Sequence, residues 1–301
     1  MPNTDNMRIP SNRVRDIERY FHSELASLYP DREIGAFVDI LFEAYLGWNT
    51  AQLLLHRDDT VNQSDLLRFH WAAEGLKQYR PIQYIVGYTL FCGLRLHVEP
   101  GVLIPRPETE EIVERIKQTC NPRTILDLCT GSGCIALALA AHFHDAKAYG
   151  VDISTQALDI AKANAIDNNL DVTFVQCDIL HQEPPMPHST FDLIVSNPPY
   201  VCDSERRDMS PNVLDHEPTL ALFVPDDDPL LFYRAIGQYA SRHLSPNGLL
   251  VLEINEHLGH ETCQLLQQLG FHTTLHKDFR DKDRSITAHK TLNSQFSTLN
   301  S

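Results

Sequence analysis

Residues 197–200, with the sequence NPPY, follow an apolar run and combine an amide side chain with two prolines and a tyrosine. A residue that precedes proline is restricted to extended conformations, so the backbone is stiff at both Asn197 and Pro198. The Asn197 side-chain oxygen and the Pro198 carbonyl can then act as two fixed acceptors for the hydrogens of a planar NH2 group. Tyr200, which follows Pro199, can stack on the same flat group. This arrangement suits methyl transfer to an amide-type nitrogen, whereas the alternative is a turn that ends a strand.

A glycine-containing loop at residues 129–133 forms a second candidate site, because it lies between an apolar run and a helical pattern. Gly131 and Gly133 let the backbone approach a ligand closely, and the following helix N-terminus offers free N–H groups. Asp152 ends the next apolar run about twenty residues further on, where a carboxylate can accept both hydroxyls of a ribose. Asp178 ends the third run, where a side chain can meet an adenine edge. Together these residues predict a nucleotide-like cofactor, and the alternative is tight turns with capping acids.

The glycine pattern alone fits two classes of cofactor. Gly131, Gly133 and Ala136 also satisfy the GxGxxG/A pattern of dinucleotide-binding proteins. A nicotinamide enzyme has no need of the NPPY corner, whereas a methyl donor opposite a weak nitrogen nucleophile does. A sulfonium donor is already activated, so catalysis needs proximity and alignment rather than a Ser–His–Asp set or a carboxylate pair. The two sites together therefore favour a methyltransferase.

Short apolar runs that alternate with helical patterns surround both sites from Thr124 onward. Strands are predicted at TILDL, AYGVDI, VTFVQCD, FDLIVS and GLLVLEI. Helices are predicted between them at residues 134–142, 155–168, 229–243 and 258–269. This alternation predicts an α/β fold with a doubly wound parallel sheet, whose strand ends line one crevice. FHTTLHKD and RSITAHK have no long helix between them, which predicts an antiparallel edge.

The pattern changes along the chain divide it into four segments. Residues 1–80 repeat apolar side chains at helical spacing and predict a small helical bundle. Residues 81–106 are rich in β-branched and aromatic residues with glycine and proline, which predicts a hairpin linker. Residues 107–290 form the predicted catalytic domain. Residues 291–301 are polar and predict a flexible tail.

The composition is that of an ordinary globular protein, with 301 residues of which 43% are hydrophobic and 22% are charged. No apolar run reaches the roughly eighteen residues of a membrane-spanning helix, and the N-terminal stretch lacks the apolar core of a signal peptide. Seven scattered cysteines form no CxxC pair, which favours a reducing cytoplasm. The net charge of −15 opposes binding to nucleic-acid phosphates and favours a protein partner. His142 and His144 have no evident third ligand, so no metal is expected.

The chain resembles the seven-stranded class of S-adenosylmethionine-dependent methyltransferases in three motifs, LDLCTGSGCIA, VDIS and SNPPYV. Two further stretches, PIQYIVGYTLFCGLRLHVEPGVLIPRPETEE and HEPTLAL, narrow the resemblance to the HemK-type protein-glutamine methyltransferases. The resemblance covers residues 12–290 and implies a Rossmann-like catalytic domain, S-adenosylmethionine as cofactor, and a helical N-terminal domain that recognises the substrate. In that family the release-factor enzymes methylate the glutamine of a Gly-Gly-Gln motif in class I peptide chain release factors. We also expect a monomer that binds neither DNA nor membranes.

The resemblance also implies roles for individual residues. The methionine part of the cofactor is assigned to the loop residues Cys129, Thr130, Gly131, Ser132 and Gly133, with Asn197 close to it. The nucleoside part is assigned to Asp152, Ile153, Asp178 and Ile179. The glutamine amide is assigned to Asn197, Pro198, Pro199 and Tyr200. The entrance is assigned to Arg106, Glu108, Thr109 and Glu110, for which the alternative is a helix that Pro107 opens, with surface ion pairs.

Three other functions stay open from the sequence. Cys129 stands where the release-factor enzymes commonly have glycine, and the sister enzyme that acts on ribosomal protein uL3 often has cysteine there, but usually lacks the PETE run. After HEPTLALF the chain has VPDDDP in place of a glycine-rich turn, so the loop at residues 224–229 has no assigned role. A nucleic-acid adenine methyltransferase shares NPPY, but the acidic charge and the lack of a basic recognition domain oppose it. A non-catalytic binding module is opposed by the intact Gly131, Gly133, Asp152 and NPPY.

Overall fold

The computed structural model describes Ile9 and residues 11–291, which form two compact units. The first unit comprises the described residues up to Gly87 together with Ser210–His216. The second comprises Tyr88–Met209 and the described residues from Glu217 onward. The tail predicted at residues 291–301 lies outside the described residues except for its first position. Within the described part of the chain, no helix is both long and apolar enough to cross a membrane.

The first unit is helical, as the apolar spacing predicts. Its helices are α1 (Val14–Leu25), α2 (Asp31–Leu46), α3 (Thr50–Leu55), α4 (Gln63–Lys77), α5 (Ile82–Val86) and α9 (Pro211–Leu214). Along α1, Ile17, Phe21 and Leu25 recur every fourth residue and are fully buried, because this period places them on one face of the helix. Phe21 meets Phe69 of α4 edge to face, with ring centroids 6.4 Å apart. The unit therefore has its own hydrophobic core.

The segment Ser210–His216 belongs to the helical unit although the residues on both sides of it belong to the other one. A contact of 2.7 Å joins the Nε2 atom of His216 to the carbonyl oxygen of Gln78 within this unit. The helical unit is therefore discontinuous in sequence. The spacing of apolar residues in Ser210–His216 does not predict that this segment belongs to the helical unit, because a one-turn helix is too short to show a period.

The segment predicted as a hairpin linker, residues 81–106, contains a hairpin but begins as a helix. The helix α5 starts after Pro81 and ends at Gly87, which has a φ of 83°. β1 (Tyr88–Phe91) and β2 (Leu94–His97) then pair antiparallel. The helix was not predicted, because IQYIV consists largely of residues that favour strands. The proline before them and the glycine after them favour a single helical turn instead.

The second unit contains a seven-stranded sheet, which confirms the predicted fold class. Its strands are β3 (Thr124–Leu128), β4 (Lys147–Asp152), β5 (Val172–Gln176), β6 (Phe191–Ser196), β9 (Leu244–Glu253), β10 (Phe271–Lys277) and β11 (Asp283–Lys290). They lie in the order β10-β11-β9-β6-β3-β4-β5. All neighbours from β9 to β5 pair in parallel, whereas β11 is antiparallel to both β9 and β10. β7 (Val201–Cys202) and β8 (Phe223–Val224) form a separate parallel pair.

In the described part of this unit, five α-helices connect the strands, and two short 3-10 helices lie at Asp203–Asp208 and Thr219–Ala221. The α-helices are α6 (Pro107–Thr119), α7 (Cys134–His142), α8 (Thr155–Asp167), α10 (Leu231–His243) and α11 (Gly259–Gln268). α6 opens with its proline in the first turn, and Glu108 and Glu110 lie beside it. Their negative charge interacts favourably with the positive end of the helix dipole.

The order of the strands reverses at β3, which has β4 on one side and β6 on the other. Leu128 at the end of β3 is paired with Val151 of β4 and with Ser196 of β6. The residues that follow these three positions therefore emerge together at one edge of the sheet. In doubly wound sheets this reversal opens a crevice at the carboxyl ends of the strands, where ligands bind.

Candidate active site

A cleft of about 490 Å³ lies at this edge of the sheet. Its wall is formed by residues that follow β3, β4, β5 and β6, and by residues from the segments 101–109 and 218–221. All of these segments belong to the second unit. The volume lies within the range of about 300–1,000 Å³ that is typical of sites for small molecules and cofactors.

The loop after β3 owes its shape to two glycines. Gly131 and Gly133 have φ values of 56° and 81°, in a region that residues with a Cβ rarely adopt. A Cβ on Gly133 would also come within 3.1 Å of the Cβ of Ala161 in α8. A Cβ on Gly131 would meet nothing within 4 Å, and Gly131 lines the cleft. The loop therefore presents open backbone to the cleft.

Asp152, at the end of β4, holds this loop in place. Its Oδ2 accepts a hydrogen bond of 2.8 Å from the N–H of Gly131, and its Oδ1 accepts one of 2.9 Å from the N–H of Ser154. Burial raises the pKa of Asp152, while the backbone hydrogen bonds oppose this rise. Each carboxylate oxygen can accept a second hydrogen bond. Asp152 lines the cleft and can therefore still accept two ligand hydroxyls.

Cys129, Thr130 and Ser132 complete the part of the loop that lines the cleft. Cys129 has a φ of 60°, and burial raises the pKa of its thiol so that the sulfur stays protonated. Thr130 donates from its hydroxyl to Oδ2 of Asp127 over 2.6 Å. Asp127 is fully buried, which raises its pKa to about 7. Asp127 could not be recognised from the sequence as part of the site, since an acid inside an apolar strand shows no pattern of its own.

The residues assigned to the nucleoside lie together in the cleft wall. Ile153, Asp178, Ile179 and Leu180 line it. Asp178 accepts a hydrogen bond of 3.0 Å from the N–H of Leu180 through Oδ1, and its Oδ2 lies 2.7 Å from Nδ1 of His181. Ile153 is 42% exposed and offers an apolar surface at the cleft wall.

The NPPY corner is anchored on both sides. Before it, Ser196 donates from its hydroxyl to the carbonyl of Leu128 over 2.5 Å. After it, the N–H groups of Tyr200 and Val201 both donate to the carbonyl of Leu222. Of the corner itself, Asn197 and Pro199 line the cleft, whereas Pro198 and Tyr200 are not part of its wall. The role of the Pro198 carbonyl as an acceptor stays a prediction.

Glu253 and Thr109 connect to this corner. The family resemblance implies a place at the entrance for Thr109 and no role for Glu253. Glu253, at the end of β9, is 2% exposed and accepts from the hydroxyls of both Thr109 and Tyr200, at 2.7 and 3.0 Å. The same Thr109 oxygen lies 3.4 Å from Nδ2 of Asn197. Tyr200 is thus tied to a buried carboxylate, and its stacking on a substrate stays a prediction.

Arg106 lies in the cleft wall and pairs with Glu217, whose side chain is 1% exposed. The distance between Nη2 of Arg106 and Oε1 of Glu217 is 2.5 Å, and the N–H of Ile104 donates to Oε2 over 3.1 Å. This pair joins the two stretches LIPRP and HEPTLAL, which are more than a hundred residues apart in sequence. Glu217 therefore fixes the guanidinium of Arg106 at the cleft.

The two acids assigned to the entrance have other partners. Glu110 accepts a hydrogen bond of 2.5 Å from the N–H of Cys92 in the hairpin turn. Oε1 of Glu108 lies 3.6 Å from Nη1 of Arg280. Neither side chain is part of the cleft wall. Their contact with a substrate stays a prediction, and the structure connects both to neighbouring segments.

The chemistry of the cleft fits S-adenosylmethionine. The start of α7 places a helix N-terminus at the cleft, Asp152 offers carboxylate lone pairs for a ribose, and Ile153 and Ile179 offer apolar walls for a flat base. The Asn197 side chain lies at the same edge, beside the loop that would hold the methionine part. A cofactor and an amide substrate can therefore meet at the end of β6.

Comparison with known proteins shows which family this fold and cleft represent. The chain is 43% identical over 281 residues to a release factor glutamine methyltransferase of Flavobacterium psychrophilum, which covers 91% of this chain and 98% of that protein. It is 39% identical over 276 residues to a protein of the same name from Bacteroides thetaiotaomicron, covering 91% and 99%. The chain belongs to the release factor glutamine methyltransferase family.

Two family models match separate parts of the chain. The PrmC N-terminal domain matches residues 19–87, and the methyltransferase small domain matches residues 107–215. A crystal structure of a methyltransferase from Pyrococcus furiosus shares the fold, with a TM-score of 0.51 and 20% identity over 66% of this chain and 90% of that one. Family and fold together confirm the prediction that this chain is an enzyme of the S-adenosylmethionine-dependent methyltransferase class.

Proposed function

We propose that this enzyme transfers a methyl group to the side-chain amide nitrogen of the glutamine in the Gly-Gly-Gln motif of class I release factors. The proposal is carried by Asn197, which lies in the cleft wall beside the glycine loop. The names of the relatives support a release factor glutamine as the substrate, since the matches to them extend over nearly the whole of this chain and of theirs.

S-adenosylmethionine, when bound, supplies a methyl group that is already activated for transfer. The residues of the chain then have to orient the amide and exclude water. Oδ1 of Asn197 and the carbonyl of Pro198 accept the two hydrogens of the glutamine NH2 group. This binding aims the nitrogen at the methyl group and favours the loss of amide planarity, so the gain comes from alignment. No side-chain base is required, because the methylated nitrogen then releases its extra proton to water.

Two other substrates are weaker candidates. Cys129 favours ribosomal protein uL3, because that sister enzyme often has cysteine at this position. A nucleic-acid adenine offers a similar NH2 group, but the net charge of −15 opposes binding to a phosphate backbone. The PETE run at the start of α6 favours the release factor over uL3.

The test is transfer of labelled methyl from S-adenosylmethionine to a purified class I release factor, to uL3 and to DNA in parallel. A release factor whose motif glutamine is changed to alanine is the matched control. We expect label only on the unchanged release factor. Equal labelling of the altered release factor, or label confined to uL3 or DNA, would contradict the proposal.

A further inference from the structure

The amide of Asn197 has two different ends, and only its oxygen can accept a hydrogen from a glutamine NH2 group. Whether the oxygen or the NH2 group of this amide faces the cleft depends on which group of the protein binds the other one. Nδ2 of Asn197 lies 3.4 Å from Oγ1 of Thr109, in the first turn of α6. Thr109 is 1% exposed and lines the cleft together with Asn197.

Thr109 can accept from Asn197 only if its own hydroxyl proton points elsewhere. That proton points to Glu253, whose Oε2 lies 2.7 Å from Oγ1 of Thr109. A threonine hydroxyl has one proton and two lone pairs, so donation to the carboxylate leaves its lone pairs for the NH2 group of Asn197. The bonds therefore run in one direction, from Asn197 to Thr109 to Glu253.

Glu253 can keep this direction because it is a buried acceptor. Its Oε1 accepts from the hydroxyl of Tyr200 over 3.0 Å, so two hydroxyl donors face the carboxylate. Burial raises the pKa of Glu253 above its ordinary value, and the bonds from Thr109 and Tyr200 and the charge of Arg284 limit this rise without reversing it. Two donors that point at one carboxylate favour its ionised, acceptor-only form.

We propose that Glu253 and Thr109 are positioning residues that hold Asn197 with its amide oxygen toward the cleft. The inference rests on the proposed function, since it assigns the amide end that meets the glutamine. If the direction of the bonds reversed, Asn197 would present NH2 to the NH2 group of the substrate. Two donors would then face each other, and the alignment of the substrate nitrogen would be lost.

The test compares Thr109→Val, which keeps the shape but removes the hydroxyl, with Thr109→Ser, which keeps the hydroxyl. The measurement is single-turnover methylation of a Gly-Gly-Gln release factor at saturating S-adenosylmethionine, together with the Kd of the cofactor. We expect Thr109→Val to slow the reaction by about 10- to 100-fold, up to the effect of losing one preorganised group. Thr109→Ser restores most of the rate, and neither variant changes cofactor affinity by more than about threefold, which is under 1 kcal/mol.

Thr262→Val is the matched control, because Thr262 is also buried in the first part of a helix. Its hydroxyl donates to the backbone carbonyl of Leu258 over 2.7 Å. It loses a similar hydrogen bond away from the cleft, so we expect a wild-type rate. If Thr109→Val does not fold, Thr109→Ala carries the same test without the added methyl group.

Two results would overturn the positioning role. One is a folded Thr109→Val or Thr109→Ala variant with the wild-type rate, and the other is a Thr109→Ser variant as slow as Thr109→Val. Failure of the proposed function is a different result, since the wild-type enzyme itself would then leave the release factor unlabelled. In that case the same variants are compared on whichever of uL3 or DNA the wild-type enzyme labels, and the two criteria apply unchanged.

Discussion

Asn197 and Asp152 serve the site by the same physical means, because each offers side-chain oxygens whose orientation is set by other groups. Asp152 is bonded to the N–H groups of Gly131 and Ser154, and Asn197 is bonded to Thr109. Neither residue has to move a proton. Substitutions at the two positions should therefore have different effects. We expect a change at Asn197 to lower the rate of methylation and a change at Asp152 to weaken cofactor binding.

Asn197→Ala removes one of the two proposed acceptors for the glutamine amide. Aligned acceptors matter most as the nitrogen gains positive charge in the transition state, so we expect kcat to fall by about 100-fold or more. Asn197→Asp keeps an acceptor and tests whether added charge compensates. Single-turnover methylation measures the loss, and Asn168→Ala on the same unit serves as the control. A folded Asn197→Ala variant with the wild-type rate would show that NPPY is only a turn.

Asp152→Ala should weaken the binding of S-adenosylmethionine, because the ribose hydroxyls lose a partly buried charged acceptor. We expect a loss of about 1.5–3 kcal/mol, or roughly 10- to 100-fold in Kd. Calorimetry measures the affinity. Asp159→Ala is the control, since Asp159 is exposed on α8 and pairs with Lys162, at 3.3 Å. Equal affinities of wild type and Asp152→Ala would remove Asp152 from the cofactor site.

At the scale of secondary-structure elements, the site depends on how closely the loop after β3 packs against α8. Gly133 begins this contact, and its left-handed φ of 81° lets α7 start directly after the loop. At Gly133, which has no room for a side chain, the loop after β3 joins α7 and packs against α8.

Gly133→Ala should destabilise the protein by about 2–4 kcal/mol, from the left-handed φ and from a Cβ placed 3.1–3.2 Å from Ala161, Leu137 and Phe174. Gly35→Ala is the opposite case, since Gly35 lies inside α2 and its added Cβ would meet nothing within 4 Å. That variant should gain about 0.5–1 kcal/mol. Denaturant unfolding measures both changes, and similar values for the two variants would contradict this account of the loop.

The elements were largely predictable from the sequence, because TILDL and FDLIVS are short buried runs with clear boundaries and coincide with β3 and β6. The glycine loop and NPPY are local motifs, so the sequence could point to the loop and to Asn197 and Pro199 as parts of one cleft wall, whereas Pro198 and Tyr200 lie outside that wall. The contact of Thr109 with Glu253 was not, since it joins residues 144 positions apart through a strand end that looks merely apolar. The helix α5 was missed because IQYIV has strand-type residues between a proline and a glycine that favour a turn.

At the scale of the whole molecule, removing residues 1–87 deletes every helix of the first unit except α9. We expect the second unit to keep its sheet and its cofactor affinity, because every described residue of the cleft wall belongs to this unit. Methylation of a release factor should fall about 10-fold or more, the effect of losing at least 1.4 kcal/mol of docking energy.

The truncated protein is compared with a second version that also carries Val213→Ser and Leu214→Ser, since these half-buried residues lose the rest of their unit. Circular dichroism and calorimetry establish folding and cofactor binding before turnover is measured. Turnover equal to that of the full chain would show that the helical unit does not recognise the substrate.

The return of Ser210–His216 to the helical unit also affects how the protein can be made. The nascent chain crosses between the units three times, after residues 87, 209 and 216. At about 5–20 residues per second, the ribosome needs on the order of 6–24 s to synthesise residues 88–209. The helical unit, although first to emerge, therefore stays incomplete until four of the seven strands of the sheet, β3 to β6, have been translated, and its last segment follows the NPPY corner in the chain.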